Sequence, residues 1–402
     1  MFDVNMAASR AEICSGEGML RRDSAKIGVQ YEAHQFEDGT ILFRCAFASA
    51  LHGNLIVYRL TRFSILDNDM LIEVDNPTAR WSEEGEKGEE ARIAYCAPRA
   101  VRISFPERMA VQPARMEANL SNFSFGLLHE PPTPTTCTFV GREVDLVPVP
   151  NFIDTLKYLM AVSGVRQTST LIIRDTANFT ENLFSELISD ILYPLTLCSS
   201  NRVSCKSYRA FDGDGGLIFA CYEDARTALF TSNASSLGNT VHYREFLDAW
   251  GQRQFNPHVP YPDLRARIAQ YTDCFARGAH IETRTLLCCT LLDAVTKIYC
   301  RNDPAADPKL KGDGYFGARI DHVLDALNLD QSYTAHIVKT RNSLAHSGKF
   351  DGASNTTGHY VKDYAIANWA AFAILVRLVA PSIRVRSPSD PFNPADLLAD
   401  DA

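Results

Sequence analysis

Ser332-Tyr-Thr-Ala-His-Ile-Val-Lys-Thr-Arg341-Asn342-Ser-Leu-Ala-His346-Ser-Gly348 reads as one helix with both of its ends marked. Ser332 is an expected N-cap, and Gly348 stands just past His346, where a left-handed residue ends a helix cheaply. Near the C-terminal end lie three side chains with chemistry. Asn342 and His346 are i and i+4 and share a face. Arg341 lies five positions before His346, about 140° around the axis, and reaches the same region through its long side chain.

Helical patterning continues on both sides of this segment. Pro262 suits a first helical turn, and Leu264, Ile268, Tyr271 and Phe275 then fall on one face until Gly278. A second helix is expected over Ile281–Tyr299, with Leu286, Leu287, Leu291, Leu292, Val295 and Ile298 as its apolar stripe. Pro304 and Pro308 lie in a loop before a third helix, Phe316–Leu327. The last helix, Val361–Ala380, holds the most apolar run of the chain. That run, Tyr364–Ala380, is interrupted by Asn368 and Arg377 and is shorter than the ~20 residues a bilayer needs, so it reads as a buried helix. Residues 262–381 are therefore expected to form an all-α helical bundle.

Upstream, Asn256-Pro-His-Val-Pro-Tyr-Pro262 forbids a helix and marks a boundary. Residues 131–255 read as a small α+β region. Phe152–Val162 and Glu181–Leu195 have helical spacing, whereas Leu171–Arg174 and Leu217–Tyr222 look like strands. Asp212-Gly-Asp-Gly-Gly216 resembles the start of a calcium loop but fails at its fifth and sixth positions, and a hairpin turn fits better. Residues 1–130 read as β-rich, with strands expected at Lys26–His34, Thr40–Ala48, Asn54–Phe63, Met70–Val74, Arg92–Cys96 and Ala100–Phe105. A sandwich or barrel-like sheet follows, its alternating aromatics Tyr31, Phe43, Phe47, Tyr58 and Phe63 forming the core. The acidic run Glu83–Glu90 reads as a solvated loop, and Pro131–Pro134 as a stiff connection. Residues 382–402 read as a flexible tail. The fold class is thus multidomain α+β.

The chain has 402 residues, 46% hydrophobic and 22% charged, with a formal charge of −8. This excludes disorder and a protein that coats nucleic acid by bulk charge. Residues 262–381 hold 14 Lys and Arg against 12 Asp and Glu, or +2, which leaves −10 for the rest. The helical region is the least acidic part and the one best suited to meet an anion. The eleven cysteines show no Cys-x-x-Cys pair, so reduced buried thiols are expected rather than a disulfide framework or zinc site. The spacing of Cys198, Cys205 and Cys221 fits no zinc template. No secretory pattern opens the sequence, and a cytoplasmic protein without membrane spans is expected.

The Arg341-Asn342-x-x-x-His346 motif, set in a late helix of an all-α region and followed by a long apolar helix, resembles the HEPN superfamily. The resemblance covers residues 262–381. The β-rich region before it, and the helix carrying Glu282 and Asp293, make the chain most similar to the ApeA-type HEPN proteins, bacterial antiviral proteins of the abortive-infection kind. The resemblance implies a metal-independent endoribonuclease with no cofactor, acting on RNA, tRNA among the candidates. Arg341, Asn342 and His346 would be its catalytic set, paired across a homodimer or a dimer of dimers. It also implies a recognition or regulatory role for residues 1–130 and a phage-derived trigger. The last helix is expected to supply part of the dimer interface. Glu282 and Asp293, three helical turns apart on one face, are candidate supporting acids or simply solvated ones. Two alternatives stay open: an Arg and a His that only complement a helix C-terminus, and a non-catalytic HEPN module that dimerises and binds RNA.

Overall fold

The computed structural model describes residues 10–22, 25–36, 39–47, 61–76, 81–84, 92–125, 132–162, 165–174, 176–177, 180–223, 240–275, 279–350 and 357–385. The contacts of the chain divide it into two units, each assembled from separate stretches of sequence. The first comprises 1–121, 164–188 and 204–227, and the second 122–163, 189–203 and 228–402. This differs from the sequential division at 130 and 255. The reason is strand pairing, because three strands of the expected middle region complete a sheet begun by the first hundred residues.

That sheet contains β1 (Arg10–Arg22), β2 (Ala25–Phe36), β3 (Ile41–Phe47), β4 (Arg62–Asp67), β5 (Met70–Asp75), β6 (Trp81–Glu84), β7 (Arg92–Cys96), β8 (Ala100–Ser104) and β9 (Arg115–Ser121). Two hairpin strands of the second unit follow, β10 (Thr135–Phe139) and β11 (Arg142–Pro148), and then β12 (Gln167–Ile173), β13 (Ser204–Phe211) and β14 (Leu217–Glu223) return to the first. Within the first unit the order is β12-β9-β13-β14-β8-β5-β4-β1-β2-β3-β7-β6, and neighbours are antiparallel throughout. β3 alternates buried and half-buried residues, as a one-sided sheet demands. Phe43 on β3 and Phe63 on β4 are three strands apart, yet their rings meet edge-on at 5.6 Å. At about 4.8 Å per strand the sheet must therefore curl over its own buried face. Tyr31, Phe43, Phe47 and Phe63 all lie in this core, whereas Tyr58 lies outside the described residues.

β1 has no apolar alternation to announce it, and its two glycines explain both the weak signal and the packing. A Cβ on Gly18 would come within 2.6 Å of Ile65 Cγ2 and 2.8 Å of the Leu66 carbonyl oxygen, and one on Gly16 would strike the Tyr31–Asp67 hydrogen bond. The backbone atom at Gly18 cannot swing away. Gly18→Ala is expected to lower stability by about 1–3 kcal/mol, as overpacking does, read as a lower denaturation midpoint.

Other expectations shift. Glu83 and Glu84 belong to β6, paired with β7, rather than to a loop; residues 85–90 lie outside the described set. Most of the strand expected at Asn54–Phe63 also lies outside it, as do Gly278, Pro131 and the tail from residue 386. The hairpin at Asp212–Gly216 is present: the Asp212 carboxylate accepts the Asp214 and Gly216 amides at 3.1 and 2.6 Å, and Gly215 takes φ +81°.

The helices are α1 (Phe152–Val162), α2 (Glu181–Ser199), α3 (Thr240–Gly251), α4 (Tyr261–Asp273), α5 (Ile281–Asn302), α6 (Phe316–Ala326), α7 (Thr334–Ser347) and α8 (Thr357–Val379). Those from α3 onward belong to the second unit, as does the C-terminal half of α2. The mixed α+β class is thus observed, with the antiparallel sheet early and the helices in the C-terminal half. Asp190 on α2 accepts hydrogen bonds from Tyr261 on α4 and from Arg253 just past α3, the latter at 2.7 Å. α5 packs against α4, α6, α7 and α8 and is the central column.

Two helical details correct the sequence reading. The inner face of α5 is Thr285, Cys288, Cys289, Leu291, Leu292, Val295, Thr296, Tyr299 and Cys300, while Leu286 is 38% exposed. Small thiols and hydroxyls share this face with Leu291, Leu292 and Val295, while Leu287 and Ile298 are only half-buried. α8 is buried all round from Ile366 to Val376 within one copy of the chain. It is the buried helix expected: Ile366–Val376 is consumed inside one copy, while Val361 near its start is 37% exposed. No helix among the described residues is long and apolar enough to cross a membrane.

Candidate functional site

α7 begins at Thr334 with Tyr333 as its cap residue; Ser332 lies one residue outside, its amide held by Asp330 Oδ1 at 2.8 Å. Gly348 ends the helix with φ +67° and returns its N–H to the Leu344 carbonyl at 3.0 Å. Ser343 and Ser347 hydroxyls both donate to the Lys349 carbonyl, at 2.8 and 3.1 Å. The turn that carries His346 is therefore pinned at its exit.

Arg341 is half-buried. Its Nη1 donates to Asn342 Oδ1 at 3.1 Å, and its guanidinium lies 5.5 Å from the centre of the Phe316 ring, at the start of α6. Among the described residues it has no carboxylate partner. Cys289 on α5 lies within reach of its charge: burial pushes that thiol up to about 12, with Arg341 opposing. Cys289 is thus a neutral packing group and no nucleophile. Asn342 and His346 are exposed on the same side of α7, and His346 makes no hydrogen bond or ion pair among the described residues. The three motif residues therefore stand in the last turns of α7, with a guanidinium held by Asn342 and Phe316 and an accessible imidazole one turn beyond Asn342.

The two acids behave differently. Asp293 pairs with Arg319 on α6 and not with Arg341. Arg319 is almost wholly buried and also donates to the carbonyls of Gly312, at 2.9 Å, and Gly314. Those carbonyls belong to the loop that leads into Tyr315 and Phe316, so Asp293 supports that loop through Arg319. Glu282 is half-buried in the first turn of α5 and makes no hydrogen bond or ion pair among the described residues. Positions 282, 289 and 293 fall within about 60° on α5, which puts Glu282 on the face that carries Cys289. Phe316, Arg319 and Cys289 escaped sequence reasoning. Nothing in their spacing ties them to Arg341, and only the packing of α5, α6 and α7 does.

The other histidines have separate partners. His336 reaches Asp363 on α8 at 2.6 Å, and His322 reaches Asp303 at 2.8 Å; the side chain of His359 lies outside the described residues. Burial alone would raise the Asp303 carboxyl, but the hydrogen bonds from His322 and the Ala305 amide, with the charges of His258 and His322, hold it below its ordinary value of 3.8. A depressed carboxyl contributes stability that is present above its ordinary pKa and is lost as pH falls through its folded value. Asp303→Asn is expected to cost about 1.5–3 kcal/mol near neutrality, the worth of a charge-assisted hydrogen bond. The deficit should shrink toward zero as pH drops below 4, measured by urea melts along a pH series.

Among the described residues no group of three or more His, Cys, Asp or Glu is placed to hold a metal. All eleven thiols are buried and unpaired; burial pushes Cys198 and Cys205 upward and Cys221 up to about 12. Comparison of the chain with protein-family models, with curated proteins and with solved structures returns no match.

Proposed function

We propose that the chain is a metal-independent HEPN endoribonuclease that cuts RNA through Arg341, Asn342 and His346. The observation that carries this reading is the state of Arg341: a half-buried guanidinium held by Asn342 and Phe316, with no acid to neutralise it among the described residues. A cation kept unpaired at some cost suits an anion that comes and goes. His346, exposed one helical turn beyond Asn342, suits proton transfer because an imidazole titrates near neutrality.

In the proposed reaction the 2′-hydroxyl gives up its proton to an imidazole while its oxygen bonds to the adjacent phosphorus. The P–O5′ bond breaks, and the departing 5′-oxygen takes a proton. The products are a 2′,3′-cyclic phosphate and a 5′-hydroxyl. Arg341 offers its planar fork to the phosphorane oxygens as their charge builds. One chain supplies one imidazole, and a two-fold pair supplies the base and the acid together. A second copy, in a dimer or a dimer of dimers, would meet this end of the α6–α7 pair, where Tyr315, just before α6, stands 57% exposed. The biological setting we favour is cytoplasmic antiphage defence by abortive infection, with the first unit responding to a phage-derived trigger and tRNA among the substrates.

The test is incubation of the purified chain with total cellular RNA in EDTA, with chemical mapping of the fragment ends. Cyclic-phosphate and 5′-hydroxyl termini are expected. Fragments with 3′-hydroxyl and 5′-phosphate ends, or cutting that EDTA stops, would overturn the mechanism.

A further inference from the structure

α6 and α7 run antiparallel, and a groove of about 600 Å³ opens between them. Phe316 lies under Arg341, and a Cβ on Gly317 would come within 2.9 Å of Val338 Cγ2, so the helices pack tightly near the motif. From there the groove leads away to Asp321 on α6 and to Thr334 on α7. Gly317, Ala318, Ala335 and Val338 give it small apolar walls, a surface for a planar ring rather than a charged group. Its polar features are graded along its length. Lys339 lies toward the Arg341 end, and Asp321 at the far end. Arg341 and Ala335 are separated by six residues of helix, about 9 Å, a span on the order of one nucleotide.

Two polar side chains stand at the far end. Asp321 is exposed and makes no hydrogen bond or ion pair among the described residues. Thr334 is 6% exposed, lines the groove, and its hydroxyl is buried with no hydrogen bond. Asp321, open to solvent, is free to accept donors from a ligand seated here.

We propose that this groove is a base subsite beside the cleaved phosphate and that Asp321 selects guanine in it; the placement beside a cleaved phosphate rests on the nuclease reading of Arg341 and His346. The chemistry is directional. An ionised carboxylate only accepts, and it takes two parallel N–H donors at once. Guanine alone among the four bases offers such a pair on its Watson–Crick edge, N1–H beside the exocyclic amine. Adenine and cytosine place a ring-nitrogen acceptor next to their amine, and uracil flanks its N–H with two carbonyls. Unstacked bases of single-stranded RNA are read on these edges.

Calorimetric titration of the full chain with guanosine and adenosine 5′-monophosphates tests this without any cleavage. Guanosine monophosphate is expected to bind about tenfold or more tighter, the discrimination a bidentate pair supplies. Asp321→Asn, at an exposed site without partners, is expected to fold as the parent does and to bring the ratio close to one. Equal binding of the two nucleotides, no measurable binding of either, or a preference untouched by Asp321→Asn would overturn the subsite. His346→Ala keeps the ratio, because both nucleotides carry the same phosphate. Cleavage without guanine discrimination would thus sink the subsite alone. Discrimination through Asp321 in a chain that never cuts RNA would sink the nuclease reading and leave a guanine-nucleotide groove.

Discussion

His346→Ala is expected to slow RNA cleavage by about 10²–10⁴-fold, the usual contribution of a positioned general acid or base. Arg341→Ala is expected to cost about 10²–10³-fold, the scale of losing one donor to a developing oxyanion. Neither loss should come from unfolding. His346 is exposed and holds nothing among the described residues, so its removal belongs with surface substitutions worth about 0.5 kcal/mol or less. Arg341→Ala gives up its stacking on Phe316, worth about 0.5–1 kcal/mol at a partly open site. Arg341→Lys separates charge from shape: it keeps the cation but not the planar fork, and should recover only part of the rate. Fragment counting on total RNA in EDTA, beside melting curves for each variant, gives the answer. Cleavage at the parent rate in both alanine variants would remove these residues from the mechanism. A parent that pairs and binds RNA, yet leaves every RNA intact, would point to the non-catalytic module.

The parts of this molecule legible from sequence are those governed by local rules. α4 to α8 were each expected within a few residues, because their apolar spacing, prolines and the glycine after α7 act over one or two turns. Arg341, Asn342 and His346 were legible together for the same reason, since one helix carries all three. What sequence hid is set by contacts distant along the chain. β1 carries glycines because β4 passes close, and that is visible only when Ile65 and Leu66 are seen beside Gly18. The buried face of α5 keeps Leu291, Leu292 and Val295 of the expected stripe but adds cysteines and threonines, because four helices pack on it. Asp293 was a candidate supporting acid or a solvated one, and Arg319, 26 residues away, pairs with it. The interleaving of the two units follows from β12, β13 and β14 pairing back onto earlier strands, which no boundary composition announces.

Ala371→Asp tests the place of α8. Were the helix a dimer interface, a carboxylate on it would yield a folded monomer. Ala371 is instead fully buried within one copy, on a helix whose residues 366–376 are buried on every side. A carboxylate there loses its water and finds no cation; even neutralised, it forces an unpaired polar group into a packed interior. A buried uncompensated charge costs about 3–5 kcal/mol, a large share of the 5–15 kcal/mol that holds an ordinary protein together. Trp369→Ala makes the same point by removal. Its ring is fully buried and meets Tyr333, the cap residue of α7, edge-on at 5.6 Å. Losing it should cost about 3–5 kcal/mol as a cavity and loosen the start of the helix that carries Arg341 and His346. Circular-dichroism melts and sedimentation on both variants decide the matter. A large fall in melting temperature at unchanged or aggregating mass is expected. A monomer that melts with the parent would return α8 to the interface.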